Sequence, residues 1–161
     1  TIFMLIYGSG LRISEAVNLR IEDIDSKNMR VFVRESKGRK ERYTVLPKAS
    51  LEMLRKYYKQ EKPTHPERYI FLCREGKPLS MAALRIHFRK YRSAANISDE
   101  FIVHVLRHSF ATKLVEAGIP LVQLKELLGH SCIRSTMTYV HVASNMQKVE
   151  SPLDKLLEKG E

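Results

Sequence analysis

Apolar positions recur along the chain in two rhythms, one near 3.6 residues and one of two, and the changeovers between them mark out the elements. Residues 1–7 are apolar almost all round, which predicts a helix enclosed by protein on every side. Gly8-Ser9-Gly10 breaks that pattern, and 14–19 resumes it as a short helix with Ala16, Val17 and Leu19 on its apolar side. The runs 29–34 and 42–46 hold Val31, Val33, Tyr43 and Val45 and flank the polar segment Ser36-Lys37-Gly38-Arg39-Lys40-Glu41. Together they predict a β-hairpin with a strongly basic tip. From 48 to 61, Leu51, Leu54 and Tyr58 fall at helical spacing, and Pro63 and Pro66 end that helix. Segment 69–72 reads as a short edge strand.

Helical rhythm returns over 80–95, with Ser80 as N-cap and Leu84, Phe88 and Tyr91 at period 3.6. It continues over 103–117, closed by Gly118 and Pro120, over 121–128, closed by Gly129, and over 133–143. A small amphipathic tail with Leu153, Leu156 and Leu157 follows Ser151-Pro152. No internal repeat, low-complexity tract or Gly/Ser linker divides the chain. The reading is a single α+β unit, mainly α with a small antiparallel β-sheet.

Composition narrows the class. At 161 residues, with 43% hydrophobic and 29% charged, the chain suffices for one globular domain and is neither disordered nor fibrous in type. No apolar run approaches the roughly 20 residues that cross a bilayer; the longest is 2–7. Cys73 and Cys132 make no disulfide framework and sit at no metal-ligand spacing, which predicts buried or half-buried thiols and an intracellular home. The helical pattern is already under way at Thr1, so a longer natural chain is expected upstream. With 28 Lys plus Arg against 18 Asp plus Glu, the net charge is 28 − 18 = +10, which calls for a polyanionic partner, nucleic acid or an anionic membrane surface. Arg85, Arg89, Lys90 and Arg92 share one helix with no acid interleaved and predict contacts to a phosphate backbone.

Candidate chemistry sits in the second half. On a helix over 103–117, Leu106, Phe110, Leu114 and Ala117 form an apolar face, while His104, His108, Ala111 and, toward the boundary, Arg107 lie on another. An imidazole and a guanidinium one turn apart can grip one anion, and arginine suits this because its planar fork donates two hydrogen bonds and keeps its charge. Leu128-Gly129-His130-Ser131 puts a histidine just past a helix end, and nine residues later comes Tyr139 in Thr136-Met137-Thr138-Tyr139-Val140-His141. His104 and His108 also have the spacing of a zinc pair, with His130 and His141 nearby. No Glu lies between them in the metalloprotease arrangement and no carboxylate flanks the set, so no metal site is read here. For His108 a structural hydrogen bond behind the site is expected.

Taken with Gly10-Leu11-Arg12-Ile13-Ser14-Glu15 and the Lys37 hairpin upstream, the boxes His104-Val105-Leu106-Arg107-His108-Ser109-Phe110-Ala111-Thr112 and Leu128-Gly129-His130 and the Tyr139 box occur in one order with characteristic gaps. In this the sequence resembles the catalytic domain of the tyrosine recombinase (phage integrase) family. The resemblance implies the DNA breaking-rejoining fold and a site-specific recombinase or integrase that works through a 3′-phosphotyrosyl intermediate, with no metal, ATP or other cofactor. It implies Tyr139 as nucleophile, Arg12 and Arg107 on the non-bridging phosphate oxygens, His104 in proton transfer from the tyrosine and His130 on the phosphate. Lys37 matches the general acid for the leaving 5′ hydroxyl, with Lys40 and Arg39 as open rivals at the same tip. Glu15, one turn after Arg12, either orients it or is a surface residue or part of a capping box with Arg12 outside it. Arg39, Lys40 and Arg42 join Arg85, Arg89, Lys90 and Arg92 as expected DNA-binding residues.

The partner implied is double-stranded DNA, not a membrane, in the bacterial cytoplasm, with a tetramer on DNA for the full-length protein and a monomer left open for this chain alone. Residues 1–161 would be the catalytic domain without its first part and without an N-terminal core-binding domain. The tail 146–161 would dock on a neighbouring protomer or fold back in cis. Two alternatives are weighed: a type IB topoisomerase-like enzyme, against which the bacterial-style boxes speak, and an inactive DNA-binding module, which would have no need of the complete residue set.

Overall fold

The structure, a computed structural model, describes residues 1–34 and 41–140. The hairpin tip with Lys37, Arg39 and Lys40, and everything from 141 onward including the tail 146–161, lie outside the described residues.

Helix α1 (Ile2–Ser9) buries Leu5, Ile6 and Ser9 along one side. Met4 and Tyr7 stand exposed, so α1 is not enclosed on every side as its composition predicts. The helix ends at Gly10, whose φ of 63° is a conformation that a side chain makes costly. A Cβ there would also lie 2.4 Å from the Phe110 ring. Glycine therefore lets the chain reverse directly against the later helix that carries Phe110. Arg12 follows at the N-cap of α2 (Ile13–Val17).

Strands β1 (Ile24–Asp25), β2 (Arg30–Val33) and β3 (Arg42–Val45) form an antiparallel sheet in that order, with Val31 opposite Thr44 and Val33 opposite Arg42. The two residues of β1 are too few to show a period of two, and the sequence pattern misses them. On β3 the pleat turns Thr44 inward and leaves Tyr43 and Val45 exposed. Thr44 is satisfied there, donating from Oγ1 to the Ser9 carbonyl at 2.7 Å. Segment 69–72 makes two isolated bridges, Arg20 with Tyr69 and Leu72 with Pro78, instead of a strand.

Helix α3 (Lys48–Glu61) packs Leu51 and Leu54, and Tyr57, not Tyr58, continues its contact by meeting Phe71 at 5.3 Å. Helix α4 (Met81–Ala94) is capped by Ser80, which accepts from the Ala83 N–H at 3.1 Å, and lays Phe88 edge-on to Phe3. Helices α5 (His104–Glu116), α6 (Leu121–Leu128) and the single turn α7 (Arg134–Met137) follow, and the last described residues continue in turns to Val140. The main core gathers Leu5, Leu11, Val31, Leu51 and Leu84; a smaller one gathers Phe110, Ala111, Leu124, Leu128 and Tyr139.

The inward side of α5 differs from its apolar spacing. Arg107, Phe110 and Ala111 are buried, Leu106 and Leu114 are half-buried, and Ala117 is exposed. An arginine at the centre of a buried face is tolerated only if its donors and charge are matched.

Candidate active site

A single carboxylate organises the site. Glu15 accepts the Arg12 backbone N–H at 2.7 Å and its Nη1 at 2.9 Å, so it caps α2 and orients Arg12 at once. Arg42 reaches it from β3 with two parallel bonds, Nη1 to Oε1 and Nη2 to Oε2, each 2.9 Å. Arg107 stands 3.7 Å away on the third side. Burial acts to raise the Glu15 pKa, but the hydrogen bonds and charge of Arg42 and the two bonds from Arg12 outweigh it and hold the group at about 2. Burial and the neighbouring Arg12 bring Arg107 down to about 9, with Glu15 acting against them, so it remains a cation at neutral pH.

The same three arginines close the end of α6. A helix leaves its last carbonyls without intrahelical partners and carries a partial negative charge there. Leu127 O accepts from Arg42 Nε at 2.8 Å, Leu128 O from Arg107 Nη2 at 2.6 Å and Arg12 Nη1 at 3.1 Å, and Gly129 O from Arg12 Nη2 at 3.3 Å. Arg107 Nη1 also donates to the Gly10 carbonyl at 2.7 Å. Gly129, at φ 63°, ends the helix and turns the chain into His130. The ring of His130 is held on both sides, with Nε2 3.1 Å from Arg107 Nη2 and Nδ1 3.0 Å from the hydroxyl of buried Thr136.

Tyr139 packs in the smaller core, its ring nearly parallel to His130 at 6.4 Å and tilted against His108 at 5.5 Å. Burial pushes its phenol pKa up, while Arg107 and Arg12 pull it back. The proton therefore needs an acceptor. His104, at the surface, has its pKa pushed below the usual imidazole value by partial burial first, then by His108, Arg107 and Arg12, so it is neutral and able to accept at physiological pH. His108 is not behind the site. It is exposed, 4.6 Å edge-on from His104, and links that ring to Tyr139.

The structure thus brings together Arg12, Glu15, His104, Arg107, His108, His130 and Tyr139. Lys37, Arg39 and Lys40 fall outside the described residues. Arg85, Arg89 and Lys90 are exposed on α4, and a groove of about 770 Å³ runs from Arg85 and Arg89 to His104. Two expected phosphate contacts are turned inward. Arg92 is buried, donating from Nη1 to the carbonyls of Asp99 at 2.6 Å and Phe101 at 2.7 Å and pairing with the Asp99 carboxylate. Arg42 is committed to Glu15 and α6. Cys132 is exposed and Cys73 half-buried, both free, so the first departs from the buried thiol expected. Sequence reading missed Thr136, which carries no signal beyond lying one β-hydroxyl residue within reach of His130. Among the described residues no helix is long and apolar enough to cross a membrane.

The profile of the phage integrase family matches residues 1–146. The tyrosine recombinase XerC of Oceanobacillus iheyensis is 37% identical over 147 residues, which covers 88% of this chain and 48% of the relative. Tyrosine recombinase XerD of Staphylococcus saprophyticus is 36% identical over 151 residues, covering 90% and 50%. Among solved structures, the XerH site-specific recombinase bound to difH substrate, a pre-cleavage complex, superposes with a TM-score of 0.76 at 28% identity over 91% of this chain and 44% of that one. The catalytic domain of bacteriophage HP1 integrase shares the fold with a TM-score of 0.65, 24% identity, and coverage of 99% and 80%. The chain spans about half the length of the curated relatives it matches.

Proposed function

The chain belongs to the phage integrase family, and from that membership we propose that it is the DNA-cleaving part of a site-specific recombinase. The observation that carries the reading is the meeting of Arg12, Arg107 and His130, from three distant stretches of sequence, at the end of α6 with Tyr139 stacked beside them.

In this reading the scissile phosphate of double-stranded DNA enters against Arg12, Arg107 and His130, displacing the Arg107 contact from His130 Nε2, which then carries the ring proton and donates it to the phosphate while Thr136 donates to Nδ1. Two fixed guanidinium charges stabilise the negative charge that builds on the non-bridging oxygens in the transition state. Tyr139 gives its proton to His104 and its oxygen attacks phosphorus; the bond from phosphorus to the 5′ oxygen breaks, leaving a 3′-phosphotyrosyl ester and a 5′ hydroxyl. Lys37 supplies the leaving oxygen with its proton, with Lys40 and Arg39 as alternatives on the same tip. Attack by the 5′ hydroxyl of a partner strand reverses the step, and since the ester conserves the bond energy, no ATP is consumed. Exposed Arg85, Arg89 and Lys90 hold the flanking backbone. The whole protein acts as a tetramer on two duplexes in the bacterial cytoplasm. Support comes from the names of the relatives, tyrosine recombinases, and from the XerH structure with its DNA substrate.

The test is incubation with a nicked suicide duplex, from which the short product strand diffuses away, followed by denaturing electrophoresis. A covalent protein–DNA band is expected for the chain, absent in Tyr139→Phe and undiminished by EDTA. A band that persists in Tyr139→Phe, or that depends on metal, overturns the mechanism.

A further inference from the structure

Arg42 is basic, lies five residues beyond Lys37 in the hairpin, and reads in sequence as one more DNA contact. Its surroundings give it a different task. The side chain is 9% exposed and the Glu15 side chain 4%. Nη1 and Nη2 each hold one Glu15 oxygen at 2.9 Å, and Nε holds the Leu127 carbonyl at 2.8 Å, so the planar fork is used along its full edge. It also packs so close to Gly129 that a Cβ there would come within 2.8 Å of its Cδ and Nη1.

These contacts converge on groups that the recombinase reading places at the phosphate. The two bonds fix the plane of the Glu15 carboxylate, whose oxygens in turn fix the backbone and Nη1 of Arg12. The Nε bond and the packing on Gly129 fix the last turn of α6, and the next residue is His130. One side chain on β3 thus ties α2 to α6 where Arg12 binds the helix end that leads into His130. We propose that Arg42 is a positioning residue for the recombination reaction, setting Arg12 and His130 in register on the scissile phosphate and making no DNA contact of its own. The inference rests on the recombinase reading.

Lysine keeps the charge opposite Glu15 but cannot span both carboxylate oxygens and the Leu127 carbonyl. Arg42→Lys and the wild type are compared in single-turnover cleavage of two suicide duplexes, one with the natural phosphodiester and one with a methylphosphonate at the scissile position. A methyl group in place of a non-bridging oxygen removes the negative charge that the arginines neutralise, so an enzyme with a displaced clamp loses less on it. Arg42→Lys is expected to slow phosphodiester cleavage about 10- to 100-fold, as loss of an orienting partner does, and methylphosphonate cleavage by about 3-fold or less, with DNA affinity changed by less than about twofold. Partial unfolding reduces both rates alike and cancels in their ratio. Equal slowing on both substrates, including loss of all activity, or a large fall in DNA affinity with unchanged cleavage at saturation, overturns the proposal. A wild type that forms no covalent product on the phosphodiester overturns the recombinase reading itself, and this inference with it.

Discussion

Nη2 of Arg107 faces Nε2 of His130 at 3.1 Å, and a guanidinium can only donate. Without DNA, the imidazole nitrogen facing it is therefore the acceptor, which places the His130 proton on Nδ1, where it is donated to Thr136 Oγ1 at 3.0 Å. The orientation and tautomer of the ring follow from a helix side chain on one side and a buried hydroxyl on the other.

Thr136→Val keeps the volume of this residue and removes the acceptor. Cleavage is expected to fall about 10- to 100-fold while Thr136→Ser retains most of it, measured as single-turnover formation of the covalent adduct. Nitrogen chemical shifts of His130 should show the Nδ1-protonated tautomer in the wild type and a mixture in the valine variant; a wild-type ring protonated on Nε2 alone contradicts the assignment.

Glu15→Gln removes the charge on which Arg12, Arg42 and Arg107 converge. With the folded-state pKa at about 2 against an ordinary value of 4.5, the ionised group contributes about 3 kcal/mol. Because the folded-state pKa is the lower one, that contribution is complete above pH 4.5 and disappears as pH falls through 2. Urea unfolding of wild type and variant should accordingly differ by about 3 kcal/mol near neutral pH and converge at the acid end. A difference independent of pH speaks against the ionised pairing.

Gly10→Ala meets two costs, a positive φ and the Phe110 ring 2.4 Å from the new Cβ. A loss of about 2 to 3 kcal/mol is expected. Adding Phe110→Leu should return part of it, because the shortened side chain removes the collision and leaves the backbone strain; strictly additive losses in thermal melts exclude the contact as the cause.

Arg85→Ala, Arg89→Ala and Lys90→Ala should each weaken DNA binding and reduce the slope of log K against log salt by about 1, with stability unchanged. Arg92→Ala should do the reverse, lowering the melting temperature by releasing the Asp99 and Phe101 carbonyls and leaving the salt slope intact. Titrations at several salt concentrations beside melting curves separate the two behaviours.

Much of the fold was legible because it depends on local pattern. Amphipathic rhythm and caps located α3, α4 and α6, Ser80 and Gly129 among them, within a residue or two. The short elements were not. Strand β1 has no room for a period, and 69–72 has strand composition but meets partners one residue at a time. Tyr43 and Val45 alternate with Arg42 and Thr44, and period two alone does not say which pair faces in. Inward placement of the polar pair follows from the Ser9 carbonyl and Glu15 waiting on that side.

Along the chain, then, the residue types for phosphate chemistry and their order could be read directly, since Arg12, His104, Arg107, His130 and Tyr139 stand in recognisable local motifs. Charge excess likewise pointed to a polyanion. Packing decides which of the cations stay exposed. Arg42 and Arg92 look in sequence like Arg85 and Arg89, yet among the described residues the first pair finds carboxylates and carbonyls close enough to offset desolvation, while the second pair stays exposed. The partners of Arg42 lie 27 and 85 positions away and those of Arg92 sit 7 and 9 positions on, past the end of its helix, and no periodicity within a helix or strand carries that information.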